Sequence, residues 1–504
     1  MTPRGALVVA HLATLAALPG TAAAQQVRGH ATSTVRLWQV RPLVRDTVPR
    51  DGLTTGVGGR LEFEGRPVDC VPLGPCTVLN QGDRADAVGV THDLSFTAWD
   101  LGVRGLSATG LLRGRWDAAG GFALPRTGDH FDAILAYLEL DRGPVRARAG
   151  RLRALGGLGS SGYDGVEVRV DPVRRLTASA YGGRSLARGL EEPRDEILAG
   201  VEEFAPGHEA WLVGASLGAE AGPAAAVTAR YQREILSDRS ALLSERASLD
   251  ARARVPGDLR VTGALDYDFA FGRVGKASLS LARSIPEADV RVVATGRRYV
   301  PYFELWTIWG FFSPVAYTEG ELAASWAARA STVLAASAAY RRYEDAEAPL
   351  IFDPLEEDAL RLSVSGASSW GRGWSARASY AWENGVGAFR SAGSARVAWR
   401  PRDALEVGLR AAAFQQIREF RVGEGVVWSG GADLVWDVTG TTELRAGLDA
   451  YRQTFEDRPG AFDWTQLRGW SALRVRFGRD PGAPLTGLGR ATRPPAPLER
   501  EGEG

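Results

Sequence analysis

The chain has 504 residues, with 60 Lys+Arg against 60 Asp+Glu, 45% apolar residues, 61 Gly and 15 Trp, but only 2 Cys. A neutral balance argues against a nucleic-acid partner, which would want a basic excess. Two cysteines exclude a disulfide scaffold or an iron–sulfur protein, and no Cys-x-x-Cys-His string exists for attaching haem, so no cofactor is expected.

Residues 1–24 read as a secretory signal. Arg4 supplies the positive start, Ala6 to Leu18 the apolar stretch, Pro19-Gly20 a break, and Ala22-Ala23-Ala24 the small residues for cleavage before Gln25. The apolar stretch is too short for a spanning helix, which needs about 20 residues. No later segment offers 18 uninterrupted apolar residues either. An exported chain without helical spans is a soluble secreted protein or an outer-membrane barrel.

The first long connection, near residues 41–87, holds Cys70 and Cys76, separated by Val-Pro-Leu-Gly-Pro. In an oxidising compartment the default is a local disulfide; metal binding is the weaker alternative, because no histidine lies close in sequence. From about residue 29 to residue 478 the apolar pattern then has period 2. Over 243–255, Leu243, Ala247, Leu249, Ala251, Ala253 and Val255 oppose Ser244, Arg246, Ser248, Asp250, Arg252 and Arg254. Over 257–271, Leu259, Val261, Leu265, Tyr267, Phe269 and Phe271 oppose Arg260, Thr262, Asp266 and Asp268. Over 373–383, Trp374, Ala376, Ala378, Tyr380 and Trp382 oppose Ser375, Arg377, Ser379 and Glu383. Strands in soluble proteins average about 5–6 residues; these run about 10–15, the length of a tilted bilayer crossing. One face suits lipid and the other a wet lumen.

Short turns near 101–103, 142–144, 171–174, 221–223, 255–258, 285–288, 328–331, 370–373, 400–403 and 438–441 alternate with mostly longer connections. The longer ones fall near 41–87, 117–129, 154–163, 184–207, 235–242, 300–316, 343–357, 416–424 and 454–463, with compact exceptions near 272 and 384–387. This alternation predicts an all-β, up-and-down antiparallel transmembrane barrel of about 22 strands (20–24), with short periplasmic turns and long outer loops. Trp326, Trp370, Trp374, Trp399 and Trp436 have the apolar parity close to short turns, as a periplasmic aromatic girdle requires. The barrel is expected over 25–478, followed by a disordered Pro/Gly-rich tail over 479–504.

The predicted lumen face is rich in arginine. Arg146, Arg148, Arg246, Arg252, Arg254, Arg377, Arg445, Arg468 and Arg474 lie there, interleaved with Asp250, Asp266, Asp268, Glu383 and Asp449. These residues either filter solutes by charge or pair across strands to hold the wall rigid, and the second reading is the more economical for most of them. Residues 299–317 crowd Tyr302, Phe303, Trp306, Trp309 and Phe312 into a nominal outer loop. That segment would serve as a lumen constriction, as a carbohydrate platform, or as interfacial packing.

Enzyme strings fail on context. Gly214-Ala-Ser216-Leu-Gly218 matches a lipase nucleophile pattern but lies within an alternating strand, where no elbow exposes the hydroxyl. Gly272-Arg-Val-Gly275-Lys276 lacks phosphate-loop spacing. His92 and His130 are the remaining candidates for a wall-borne hydrolase, though nothing selects them.

The final strand, ending Leu473-Arg-Val-Arg-Phe477, resembles the aromatic-ended terminal strand of Gram-negative outer-membrane proteins, although a tail follows it. The resemblance implies insertion by the barrel-assembly machinery. Gly150-Arg151-Leu-Arg with Tyr163-Asp164-Gly165-Val166 is similar to a segment of alginate-export-type, porin-like barrels, over some twenty residues. Nothing at the N-terminus looks like the plug of a TonB-dependent transporter. The expectation is a porin-like channel in the cell outer membrane, in contact with lipid and lipopolysaccharide, passing small polar or anionic solutes. The alternative is a conduit that houses a periplasmic partner.

Overall fold

The computed structural model describes residues 26–41, 43–55, 61–63, 66–71, 74–119, 130–173, 175–186, 210–237, 242–300, 316–344, 358–371, 373–384, 391–416, 425–455 and 464–478. Twenty-two strands form one antiparallel sheet closed on itself. The first wall strand, Gln26–Val40, pairs on one side with Ala85–Trp99 and on the other with the last strand, Trp464–Gly478. The closing register runs from Arg28↔Gly478 to Trp38↔Arg468. Every other wall strand pairs with its sequence neighbours, so the barrel has no free edge.

Strand length follows from the alternation. A 12-residue strand such as Val145–Gly156 rises about 3.4 Å per residue and, tilted by about 40°, climbs roughly 30 Å, the thickness of a bilayer core. Outward residues are apolar and solvent-accessible: Leu322 is 58% exposed and Leu409 65%. A soluble protein does not present so continuous an apolar surface.

Two aromatic girdles bound that belt. Trp326, Trp370, Trp374, Trp399 and Trp436 are exposed near the short turns, while Trp211, Tyr231, Tyr340, Tyr380 and Trp428 are exposed toward the other end. Trp428 and Trp436 share one strand, Gly425–Asp437. Their eight-residue spacing at ~3.4 Å per residue and ~40° tilt is about 21 Å, close to the ~25 Å apolar band of outer-membrane barrels.

Short connections gather at one end. Gly143, at φ 69°, closes the two-residue turn between His130–Arg142 and Val145–Gly156, a left-handed backbone that a side chain would strain. The predicted long connection at 154–163 is corrected. The ladder continues to Gly156↔Gly159, so only Gly157 and Leu158 form the turn between Val145–Gly156 and Gly159–Val173.

The first long connection carries its own five-stranded sheet, ordered Leu43–Val48, Cys76–Gln81, Arg66–Cys70, Leu61–Phe63, Thr54–Thr55. Val48, Cys76 and Val78 form its core, with Leu53, Phe63 and Val68 against them. Cys70 and Cys76 are joined by a disulfide. Arg50 donates to the carbonyls of Val71 (2.7 Å) and Gly74 (2.9 Å), clamping the bridged turn. The expected signal over 1–24, the tail over 479–504 and the aromatic residues Tyr302, Phe303, Trp306, Trp309 and Phe312 lie outside the described residues.

Candidate functional site

Because side chains alternate, cross-strand partners of inward residues are inward too. The register therefore carries every lumen candidate to one continuous inner wall. Most of them are ion-paired. Arg148 Nε donates to Glu139 (2.6 Å), and Arg146 Nη2 donates to Asp141 (2.9 Å). Arg246 bonds Asp266 at 2.6 Å, and Asp250 pairs with Arg230. Glu383 takes Arg361 at 3.2 Å, Asp449 takes Arg410 at 2.5 Å, and Arg445 takes Glu443 at 2.6 Å. Arg468 donates to Gln466 (2.5 Å) and stacks its guanidinium 4.6 Å from the Tyr451 ring centroid. Asp268 accepts the Phe271 backbone N–H (3.1 Å), stabilising the turn there rather than joining an ion pair.

At the long-loop end, Glu319 is buried between Arg297 (2.5 Å) and Arg341 (2.7 Å), and Arg341 lies 4.1 Å over Tyr317. In mid-wall, Arg377, Arg396 and Arg410 are directly opposed across three strands. Like charges so placed repel, and carboxylates from neighbouring strands compensate two of the three. Arg396 pairs with Asp433 (2.5 Å) and Glu406 (2.9 Å), and Arg410 with Asp449.

The short-turn end differs. Arg254 and Arg260 face each other across the ladder, with Arg291 two strands further on. These three and Arg377 are exposed and make no ion pair among the described residues. Arg252, 71% exposed, reaches only Glu220 at 3.6 Å. Arg474 has a buried Nε without a hydrogen-bond partner, and Arg476 shares Glu443 at 3.5 Å. Glu321 and Asp437 are unpaired inward acids, on other strands. The wall thus combines a middle and outer part that is compensated except at Arg377 with an arginine-rich sector at the short-turn rim, where Glu220 reaches Arg252 and Asp258 and Asp289 stand in the adjoining turns. Arg252, Arg254 and Arg377 were legible as lumen residues; Arg291 was not, because its strand alternates Val with Arg over only its first three residues after the turn.

The Gly157-Leu158 turn folds onto this wall. Its strands lie four and five places from Leu242–Val255 in the sheet, yet the tip touches inward groups there. The Leu158 carbonyl accepts from Arg246 Nη2 at 3.3 Å, and Ser161 Oγ accepts from Gln232 Nε2 at 3.1 Å. A Cβ on Gly157 would lie 2.8 Å from Asp250 Oδ2 and Ser248 Oγ, so any larger residue there must displace those side-chain ends. Beneath the tip, Leu152, Tyr163 and Leu212 form a buried lumen-side cluster with Tyr137 and Tyr181. Tyr163 and Tyr181 stack at 5.3 Å. A wall of 22 strands encloses more space than side chains fill, and an inward tip narrows it. The Gly156-Gly157-Leu-Gly159 run was the sequence signal for this close approach.

The enzyme strings remain structural. Ser216 Oγ is hydrogen-bonded to Ser179 Oγ (2.8 Å) within Ala210–Ala221. His92 faces outward, its ring edge-on to Trp116 at 5.0 Å, away from the lumen. Among the described residues, no group of His, Cys, Asp and Glu is arranged to hold a metal ion.

No protein-family model and no curated protein matches the sequence. Among solved structures, the chain is similar to a mutant ferric enterobactin receptor of Pseudomonas aeruginosa in complex with enterobactin. The identity is 12%, the TM-score 0.51, and the match covers 89% of this chain and 81% of that one. It is also similar to OccAB2 of Acinetobacter baumannii (10% identity, TM-score 0.38, covering 89% and 98%). A BenF-like porin of Pseudomonas fluorescens is similar at 9% identity and TM-score 0.40, covering 90% and 99%. The likeness is one of fold.

Proposed function

We propose that this closed 22-stranded barrel sits in the outer membrane, its apolar belt in lipid and its short-turn end toward the periplasm. From that premise we propose that it is a porin-like channel for passive passage of small polar solutes, with a preference for anions. The observation that carries the reading is the exposed sector of Arg252, Arg254, Arg260 and Arg291 at the periplasmic rim. Three of these guanidinium groups make no ion pair among the described residues and Arg252 reaches Glu220 only at 3.6 Å; such exposed guanidinium groups raise the local concentration of anions and repel cations. The ion pairs of the middle and outer wall cancel in charge and hold the sheet in shape. The inward Gly157-Leu158 tip sets an upper size.

A second reading uses the same sector: an acidic periplasmic protein docking on the arginine rim would make the barrel a conduit. The test is single-channel recording in planar bilayers under a salt gradient. Anion-selective steps support the channel; a folded but silent barrel supports the conduit.

A further inference from the structure

The outer face of the barrel carries a groove of about 510 Å³ over the strands Val290–Tyr299, Tyr317–Arg329 and Thr332–Tyr343. Its floor is Gly296 and Gly320, where an added Cβ would meet nothing within 4 Å, and Leu281 and Tyr340 stand at its edges. The volume is that of a small-ligand site, and the lining atoms are overwhelmingly apolar. One step beyond it toward the long loops, Arg298, Thr318 and Arg342 are direct partners in a single cross-strand row.

The inward row beside it makes the contrast. There Arg297, Glu319 and Arg341 alternate in the same register, and the glutamate neutralises both arginines. Facing outward, threonine stands between the two arginines and the acids flank the row instead: Glu344 on Arg298, and Asp358, which accepts from the Tyr340 hydroxyl, opposite Arg342. Arg342 is exposed and makes no ion pair among the described residues. Arg298 is oriented by Glu344, with bonds of 2.8 and 2.9 Å, while both side chains stay partly exposed. Two strand spacings separate the arginines, about 9.6 Å, a gap that two long side chains bridge around a tetrahedral anion with the Thr318 hydroxyl between them.

We propose that this surface binds the phosphorylated glycolipid of the outer leaflet. An acyl chain lies in the groove over Gly296 and Gly320, and a headgroup phosphate sits between Arg298 and Arg342. The glycolipid is favoured over a phospholipid because the arginine row lies above the outer girdle, at the end with the long loops. The site is outside the lumen and independent of the channel reading.

The test is native mass spectrometry of the full chain in detergent with purified lipid A, dephosphorylated lipid A or phosphatidylglycerol. Folding of each variant is verified by heat-modifiable gel migration. One bound lipid A is expected, with at least tenfold weaker retention of the dephosphorylated form. The Arg298→Gln/Arg342→Gln variant should lose lipid A by a similar factor, and so should Gly320→Leu, which fills the groove without touching the arginines. Conductance should be unchanged in both. Equal retention of phosphorylated and dephosphorylated lipid A, or by both variants and wild type, overturns the proposal. Preference for phosphatidylglycerol overturns the choice of glycolipid.

Discussion

Arg254 and Arg260 place two like charges directly opposite on neighbouring strands, an arrangement that costs stability unless something else selects it. A unit charge about 8 Å from a passing ion in water is worth about 0.5 kcal/mol, roughly a twofold effect on that ion's local concentration. Because each charge attracts the anion and repels the cation, replacing both by glutamine should lower the anion-to-cation permeability ratio more than about tenfold at low salt and about fourfold where a Debye length of about 8 Å screens the charges. An unchanged reversal potential would place the selectivity elsewhere. Arg246 acts differently, because it holds both Asp266 and the Leu158 carbonyl. Arg246→Ala leaves a carboxylate with 11% side-chain exposure unpaired. Full burial of such a charge would cost 3–5 kcal/mol, and partial hydration reduces this to about 2. Unfolding midpoints in urea should fall accordingly, and conductance should rise as the tip comes away from the wall. At the outer rim, the hydrogen bond from Arg298 holds the Glu344 carboxyl below its ordinary range, which keeps that pair intact into mild acid.

Among the elements, the Gly157-Leu158 hairpin folds inward onto the wall, and the loop sheet between Leu43 and Gln81 is a second sheet with its own small core. Gly157→Val should push the tip off Ser248 and Asp250, widening the channel while the ladder below is kept. Larger single-channel steps with unchanged heat-modifiability would bear this out. The Cys70–Cys76 bridge closes a turn with a sequence separation of 6, worth about 2 kcal/mol to the loop sheet in the chain-entropy account. Reduction should speed hydrogen exchange around Val78 without moving the barrel's unfolding transition. Loss of barrel stability on reduction would mean that the loop sheet braces the wall. Both elements also mark the limits of a linear reading. Alternation placed the strands and their faces, because a period of 2 with one lipid side survives any uncertainty at the ends. It missed the hairpin because Gly156-Gly157-Leu-Gly159 reads locally as a loop. Only contacts four and five strands away show that those glycines serve close approach. It likewise could not find a sheet inside the first connection, whose strands, such as Thr54–Thr55 and Leu61–Phe63, are too short to alternate.

Across the whole molecule, the usual relation of core to surface is inverted. Apolar residues such as Leu409 face out between two aromatic girdles, and charged pairs such as Arg396–Asp433 line the inside. Leu409→Arg should cost up to about 2–4 kcal/mol in lipid, where a soluble protein would tolerate an exposed arginine. Folding titrations in lipid vesicles would show that loss. The lumen arginines were legible as a group, since parity alone assigns them; which of them are compensated was not, because each partner lies on a different strand. Arg377 and Arg396 have the same sequence character, yet only Arg396 finds carboxylates within 3 Å. That difference separates a structural charge from one left to meet a solute. The most direct measurement is the reversal potential of the purified barrel in a planar bilayer under a tenfold KCl gradient, wild type beside a variant with Arg252, Arg254, Arg260 and Arg291 all replaced by glutamine. Anion selectivity that collapses toward neutrality in the variant is the predicted result. A cation-selective wild type, or selectivity indifferent to the four substitutions, would contradict it.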